Sequence, residues 1–357
     1  KVIQYLKHNY IKIIIVILFL IIIYIYFHSF YRRIPRYLFK IRNNLKNLKL
    51  RPITSCPKLI KNKYKLCDFY ISSSSKSYLP CSQYYDYAST EILELSILNG
   101  ARYVELDIFN KGFCDETIPV VTNGTLKGNW HWTNELSFED CCETIFNYAF
   151  SSIIPNPTDP FFLGLNLHLG YNCKTADKIA DILKSFFSEK FLDSRFSYQR
   201  TNIAQVDISE FIGKIIILCN SPCKTSNLSE YINYTWSQPF MRSYSHYDIQ
   251  SLYDPKEVRE YNKKNLSRIF PAFTERKTQN YNPRSGWLYG CQFVGMNFSH
   301  FDDNMRVHFL KFNKSSFSLK PYQLRYHKDT YKKPTLQTKK VSFAPEQITT
   351  PFYSITY

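Results

Sequence analysis

The stretch "ARYVELDIFN" at residues 101–110, followed by "VVTNGTL" at 120–126, decides how this chain is read. Its apolar residues make the first stretch a buried strand, yet it carries Glu105 and Asp107 two positions apart. Strand residues i and i+2 share a face, so both carboxylates point at one spot. Two adjacent buried negative charges repel and lose hydration unless a cation joins them. The spot therefore demands a cation.

Outward from this strand, the chain alternates between strand and helix patterns. "FYISSSS" (69–75) is a strand that runs into a polar loop. "STEILELSILNG" (89–100) is an amphipathic helix with Ser89 as N-cap and Gly100 as its stop. "SFEDCCETIFNYAF" (137–150) is a helix opened by a capping-box-like Ser137 and Asp140. A strand at 161–170, a helix at 175–187 and a strand at 213–220 follow. Alternation of this kind predicts parallel strands with crossover helices, an α/β architecture.

Of the net charge of +17, most is local: residues 1–51 contain eleven Lys or Arg and no acid. The remaining 306 residues carry 35 basic against 29 acidic side chains, which removes the case for a nucleic-acid partner. The same N-terminal segment holds "IIIVILFLIIIYIYF" (13–27). Extended to 10–31, it gives roughly 33 Å of helix, enough to span a bilayer as a transmembrane anchor. Lys12 can snorkel at one end, and no small-residue cleavage site follows. Eight basic residues in 32–51, against three before the span, place the main domain on the cytosolic side. Six Asn-x-Ser/Thr sequons and ten cysteines would count only in a lumen, and a lumenal placement stays open. Without paired C-x-x-C spacing, mostly free core thiols are expected. Residues 32–66 read as an irregular basic connector that touches anionic lipid headgroups, and 327–357 as a polar tail that opens a further β domain.

Taken in order, "ISSSSKSYL", "STEILELSILNGARYVELDIF", "PVVTNGTL" and "GKIIILCN" resemble the X half of eukaryotic phosphoinositide-specific phospholipase C. "LSEYINYT", "YNKKNLSRIFP", "NYNPRSGWLYGCQFVGMNF" and "SLKPYQLR" resemble its Y half. The resemblance implies one distorted (β/α)8 TIM barrel, with an X-like half at 67–220, a short join at 221–227 and a Y-like half at 228–326. It implies functional side chains at the C-terminal strand ends. It also implies phosphodiester cleavage with one calcium ion and two histidines.

Matched residue by residue, the family's first histidine position is Ser75 and its calcium-ligating asparagine is Lys76. The second histidine position is Asn123, and a glutamate ligand becomes Asn166. Glu105 and Asp107 alone survive from the metal set, and His168 matches a histidine without catalytic role. A positioned general acid or base contributes about 10²–10⁴-fold, and neither serine nor asparagine shuttles protons near neutrality. Lys76 is read as the required cation, with a surface lysine pointing away as the alternative. Two lysines that hold ring phosphates in the family become Leu218 and Asn220. Arg268, with Ser243 or Ser245, remains as a ligand-binding candidate, a structural ion pair being the other reading of Arg268. The sequence thus points to a membrane-anchored pseudoenzyme that serves as a scaffold or protein-interaction module. No bound cofactor is expected, calcium included. The partners expected are membrane lipids and other proteins. Headgroup binding without hydrolysis, residual calcium-dependent hydrolysis, and an enzyme that uses other residues such as His131 or His246 are the alternatives.

Overall fold

A computed structural model describes residues 2–46, 64–80, 87–111, 117–124, 134–170, 172–221, 225–236, 239–272, 279–327 and 347–356. It divides into one large unit through Tyr326 and a small one, His327–Tyr357. Eight parallel strands form the large unit: β1 (Phe69–Ser74), β2 (Tyr103–Asn110), β5 (Phe161–Leu167), β6 (Ile215–Cys219), β7 (Tyr234–Thr235), β8 (Met241–Ser245), β9 (Leu266–Phe270) and β10 (Phe293–Met296). β3 (Pro119–Val121) and β4 (Leu136–Ser137) extend β2 at its rim, and β11 (Phe317–Leu319) pairs antiparallel with β1. The ladder runs β7-β6-β5-β2-β1-β10-β9-β8, a barrel that among the described residues is paired everywhere except between β7 and β8. The expected (β/α)8 barrel is therefore present, and this seam is its distortion.

Strand alternation splits the core into two layers. Phe69, Ile71, Tyr103, Phe162, Ile216, Leu218, Met241, Leu266 and Phe293 fill the barrel interior. Their neighbours Tyr70, Val104, Leu106, Leu163, Leu165, Ile217 and Val294 pack outward under the helices. Both faces are buried, which is why these strands read as near-continuous apolar runs. Gly295 lets β10 approach the end of β1, because a Cβ there would lie 2.8 Å from Ser75 Cβ.

The helices are α1 (Val2–Lys46), α2 (Thr90–Leu98), α3 (Phe138–Ala149), α4 (Cys173–Phe187), α5 (Leu228–Tyr231), α6 (Pro255–Lys264), α7 (Arg284–Leu288) and α8 (Asp303–Lys311). Ser89 caps α2 as expected, accepting from the Glu91 N–H. No residue of α2 is exposed, however, so it is not the amphipathic helix the sequence suggested. α1 and α3 cover the side that would otherwise face water. Ser137 caps α3 through the Glu139 N–H, so the cap bond falls one residue before Asp140.

The largest correction concerns the connector. α1 continues as helix to Lys46, where an irregular segment was expected from residue 32. Pro35 sits within it at the loss of one backbone bond, while the Arg, Leu and Lys residues around it favour helix. Arg42 further ties the helix to α2 through an ion pair with Glu91. Within α1, Lys12–Ser29 is long and apolar enough to cross a membrane, and none of it is buried.

Cys67, Cys141, Cys142, Cys219 and Cys291 are buried free thiols, while Cys173 is disulfide-bonded. The small unit contains a two-stranded hairpin, β12 (Gln347–Thr349) and β13 (Ser354–Thr356), so the tail does turn strand-like.

Candidate functional site

The site lies where the interior strand positions change from apolar to polar. On β2 the inward series is Tyr103, Glu105, Asp107; on β5 it is Phe162, Gly164, Asn166; on β9 it is Leu266, Arg268, Phe270. The β2 and β5 series move from a packed base to a polar upper end, where a barrel of this kind carries its chemistry, and the β9 series sets Arg268 beside them.

Glu105 meets Arg268 across the lumen. Arg268 Nη1 stands 2.9 Å from Glu105 Oε2, with both side chains more than nine-tenths buried. Arg268 Nε donates to Ser243 Oγ at 2.7 Å, and Nη1 lies 3.4 Å from the Tyr103 hydroxyl. The Tyr103 hydroxyl in turn donates to Glu105 Oε2 at 3.1 Å. Gly164 makes this possible, since a Cβ there would fall 2.5 Å from the Tyr103 oxygen. The guanidinium also lies 3.8 Å from the centre of the Trp236 ring and 5.1 Å from that of Phe270, an aromatic enclosure that favours a cation. Burial would lower the Arg268 pKa, but Glu105 and Tyr103 outweigh it and hold the group above its ordinary value.

Asp107 has a separate set of partners. Tyr78 donates its hydroxyl to Oδ2 at 2.6 Å, His168 Nε2 lies 3.3 Å from Oδ1, and Lys76 Nζ stands 3.9 Å from Oδ2. Burial pushes the Asp107 carboxyl up, yet Lys76, His168 and Tyr78 together bring it down to about 2. Lys76 Nζ makes its closer contact with Asn123 Oδ1, at 2.9 Å. The Asn166 amide donates to Glu105 Oε1.

The loop after β1 holds Lys76 in place. Ser77 donates its N–H to the Glu105 carbonyl, and its hydroxyl accepts from the Glu105 N–H, both at 3.0 Å. Lys76 itself adopts a left-handed φ of 43°. A lysine there is strained by roughly 1 kcal/mol, which persists only where surrounding contacts fix it.

Lys76, Glu105, Asp107, Asn123 and Asn166 are thus brought together, with Arg268 and Ser243 added from the other half. Lys76 does not serve both carboxylates, as the sequence reading had it; Arg268 takes Glu105. Of the two serine candidates, Ser243 accepts from Arg268, whereas Ser245 forms a turn with Asp248. Ser75 is buried and its N–H donates to the Met296 carbonyl. Leu218 is part of the interior core, and Asn220 pairs with the Leu167 backbone. His246 stacks between Tyr247 and Tyr281 and accepts the Ala272 N–H through Nδ1, which is a packing role. His131 lies outside the described residues. Among the described residues, no three His, Cys, Asp or Glu side chains are grouped to hold a metal ion.

Tyr78, Tyr103 and Trp236 were missed by sequence reasoning. Gly164 opposite a strand tyrosine was the available signal, since it leaves room for a large inward ring.

Comparison with known proteins bears on the family and the fold. The family model for the X domain of phosphatidylinositol-specific phospholipase C matches residues 62–220, and that for the Y domain matches 214–323. The 1-phosphatidylinositol 4,5-bisphosphate phosphodiesterase beta-1 of Mus musculus is 24% identical over 343 residues, covering 73% of this chain and 28% of that protein. The Homo sapiens protein named inactive phospholipase C-like protein 1 is 25% identical over 315 residues, covering 73% and 27% respectively. This chain therefore spans under a third of either relative. The crystal structure of PLC21 from L. pealei superposes with a TM-score of 0.61 at 23% identity, over 74% of this chain and 38% of that one. That likeness establishes the barrel fold.

Proposed function

Because this chain belongs to the phosphatidylinositol-specific phospholipase C family and carries its X and Y domains across 62–323, we propose that it is a catalytically silent member. On this reading it is a membrane-anchored scaffold or protein-interaction module. One observation carries the reading: both inherited carboxylates already have cations from the chain itself. Glu105 is held by Arg268 and Asp107 lies beside Lys76.

Calcium, which the family resemblance implies, does not fit this donor set. It takes roughly six to eight oxygen ligands. Here Glu105 Oε1 and Oε2 accept from Asn166 and Arg268, and the Asp107 oxygens accept from Tyr78 and His168. A divalent ion would have to displace a buried guanidinium and sit near an ammonium, both of which repel it. The two positions matched to the proton carriers, Ser75 and Asn123, hold groups that do not titrate near neutrality. Arg268 is engaged by Glu105 and Ser243 beneath Trp236, which also argues against its meeting a headgroup phosphate.

The anchor is α1, the basic tract behind it engages lipid headgroups, and the barrel lies on the cytosolic side. The test uses the full chain with mixed vesicles that contain phosphatidylinositol and its 4,5-bisphosphate, with and without calcium. Released inositol phosphates are quantified by mass spectrometry. Release at the protein-free rate is expected; calcium-dependent release overturns the reading. Binding of the soluble inositol phosphate headgroup that Arg268→Ala abolishes, without turnover, would instead make the protein a headgroup sensor.

A further inference from the structure

α1 combines three features that the barrel site does not use. First, it runs unbroken from its apolar span to Lys46, so about 25 Å of helix continue past Ser29. Second, Arg42 on that continuation forms an ion pair with Glu91, a first-turn residue of α2. Third, its lone proline, Pro35, stands between the span and Arg42. Without an N–H, Pro35 cannot complete the bond to the Tyr31 carbonyl, and such positions are where helices bend.

The helix that this segment touches, and the one packed beside it, carry acids. Glu91 is fixed by Ser89, whose hydroxyl donates to it, and Glu139, Asp140 and Glu143 stand exposed on α3, which packs beside α2. By contrast, 32–46 holds Arg32, Arg33, Arg36, Lys40, Arg42 and Lys46 and no acid. The basic tract can thus satisfy its charge against the barrel or against anionic lipid. A straight α1 holds Arg42 about 20 Å beyond the span, farther than the headgroup layer reaches. It cannot satisfy both at once.

Resting on the anchor reading above, we propose that α1 is a lipid-sensing clasp. It is straight and joined to the barrel through Arg42–Glu91 on neutral membranes. On anionic membranes it bends at Pro35, and the tract leaves the barrel for the headgroups. Magnitudes favour the exchange. The Arg42 side chain is 62% exposed, and an exposed ion pair gives at most about a fivefold preference. Each basic residue near an anionic surface gives roughly fivefold, so the four from Arg36 to Lys46 together give several hundredfold.

The full chain carrying Arg42→Lys keeps the charge and allows zero-length carbodiimide coupling of position 42 to Glu91, mapped by mass spectrometry. It is first floated with vesicles of phosphatidylcholine alone or with added phosphatidylserine. The cross-link is expected in neutral vesicles, and its yield should fall at least fivefold when phosphatidylserine is present. Glu91→Gln should abolish it, and Pro35→Ala should preserve it in both membranes. Equal yields in the two membranes, or no cross-link in either, overturn the clasp while leaving the anchor standing. Failure to float with either vesicle overturns both, and is read separately from the cross-link.

Discussion

Glu105→Gln discriminates most sharply between a site that holds its own cation and one kept open for a metal. The substitution keeps shape but leaves the Arg268 guanidinium more than nine-tenths buried without its counter-charge. Breaking a buried pair by removing one partner costs about 3–5 kcal/mol. Ser243 and the Trp236 ring remain and soften the loss, so about 3 kcal/mol is expected. For a barrel of this size that lowers Tm by roughly 6–12 °C. A second variant, Glu105→Leu with Arg268→Met, replaces both charges by apolar groups and should recover most of the loss. The native chain, Glu105→Leu, Arg268→Met and the double variant, compared by differential scanning fluorimetry and urea titration, complete a double-mutant cycle. If the carboxylates were instead poised for a metal, Glu105→Gln would relieve their mutual repulsion and raise Tm in metal-free buffer. A neutral or stabilising Glu105→Gln refutes the reasoning.

Calcium at a concentration a hundredfold above a functional Kd would stabilise a binding protein by about 2.7 kcal/mol; scanning fluorimetry with millimolar calcium should show no shift in Tm. The Asp107 carboxyl, held at about 2 in the fold, contributes stability above its unfolded pKa near 4 and loses it as pH falls through 2. The urea-derived gap between the native chain and Asp107→Asn, about 2 kcal/mol from this source, should therefore close between pH 4 and pH 2. Lys320 is buried, which lowers its pKa to about 8. Its charged form is disfavoured in the fold below that pH, and this penalty fades as pH rises from 8 to 10.5. Lys320→Met should stabilise the protein at pH 7 by about 1–3 kcal/mol, less at pH 10. The Asn262 carbonyl keeps the Gln292 amide as a donor, so no acceptor is orphaned. Gly164→Ala should destabilise by about 1–3 kcal/mol by displacing Tyr103.

What the sequence made legible follows periodicity and local chemistry. Two carboxylates at i and i+2 put a charge problem at the top of one strand, and Lys76 in the adjoining loop answered half of it. Arg268 could not be assigned in the same way. It is 163 positions from Glu105 and two strands separate β2 from β9, so the pair forms only when the sheet rolls up. The same closure turns Trp236 over the guanidinium. α1 misled for a different reason: the basic tract from residue 32 read as an irregular connector, while fifteen apolar residues before it supply a helix that is already nucleated and propagates through.

The unzipped seam between β7 and β8 has a consequence for solubility. A barrel that closes fully has no free edges, whereas this one is topologically a rolled ribbon with two margins that could recruit a foreign strand. The margins are blunted by sequence. β7 is only two residues long, Pro239 brings no N–H to the approach of β8, and Arg242 sets a charge on β8 itself. Replacing Pro239 and Arg242 together by β-branched residues would cost Arg242 its ion pair with Glu257 and its seat over the Tyr261 ring, and would make the chain prone to fibrillar self-association.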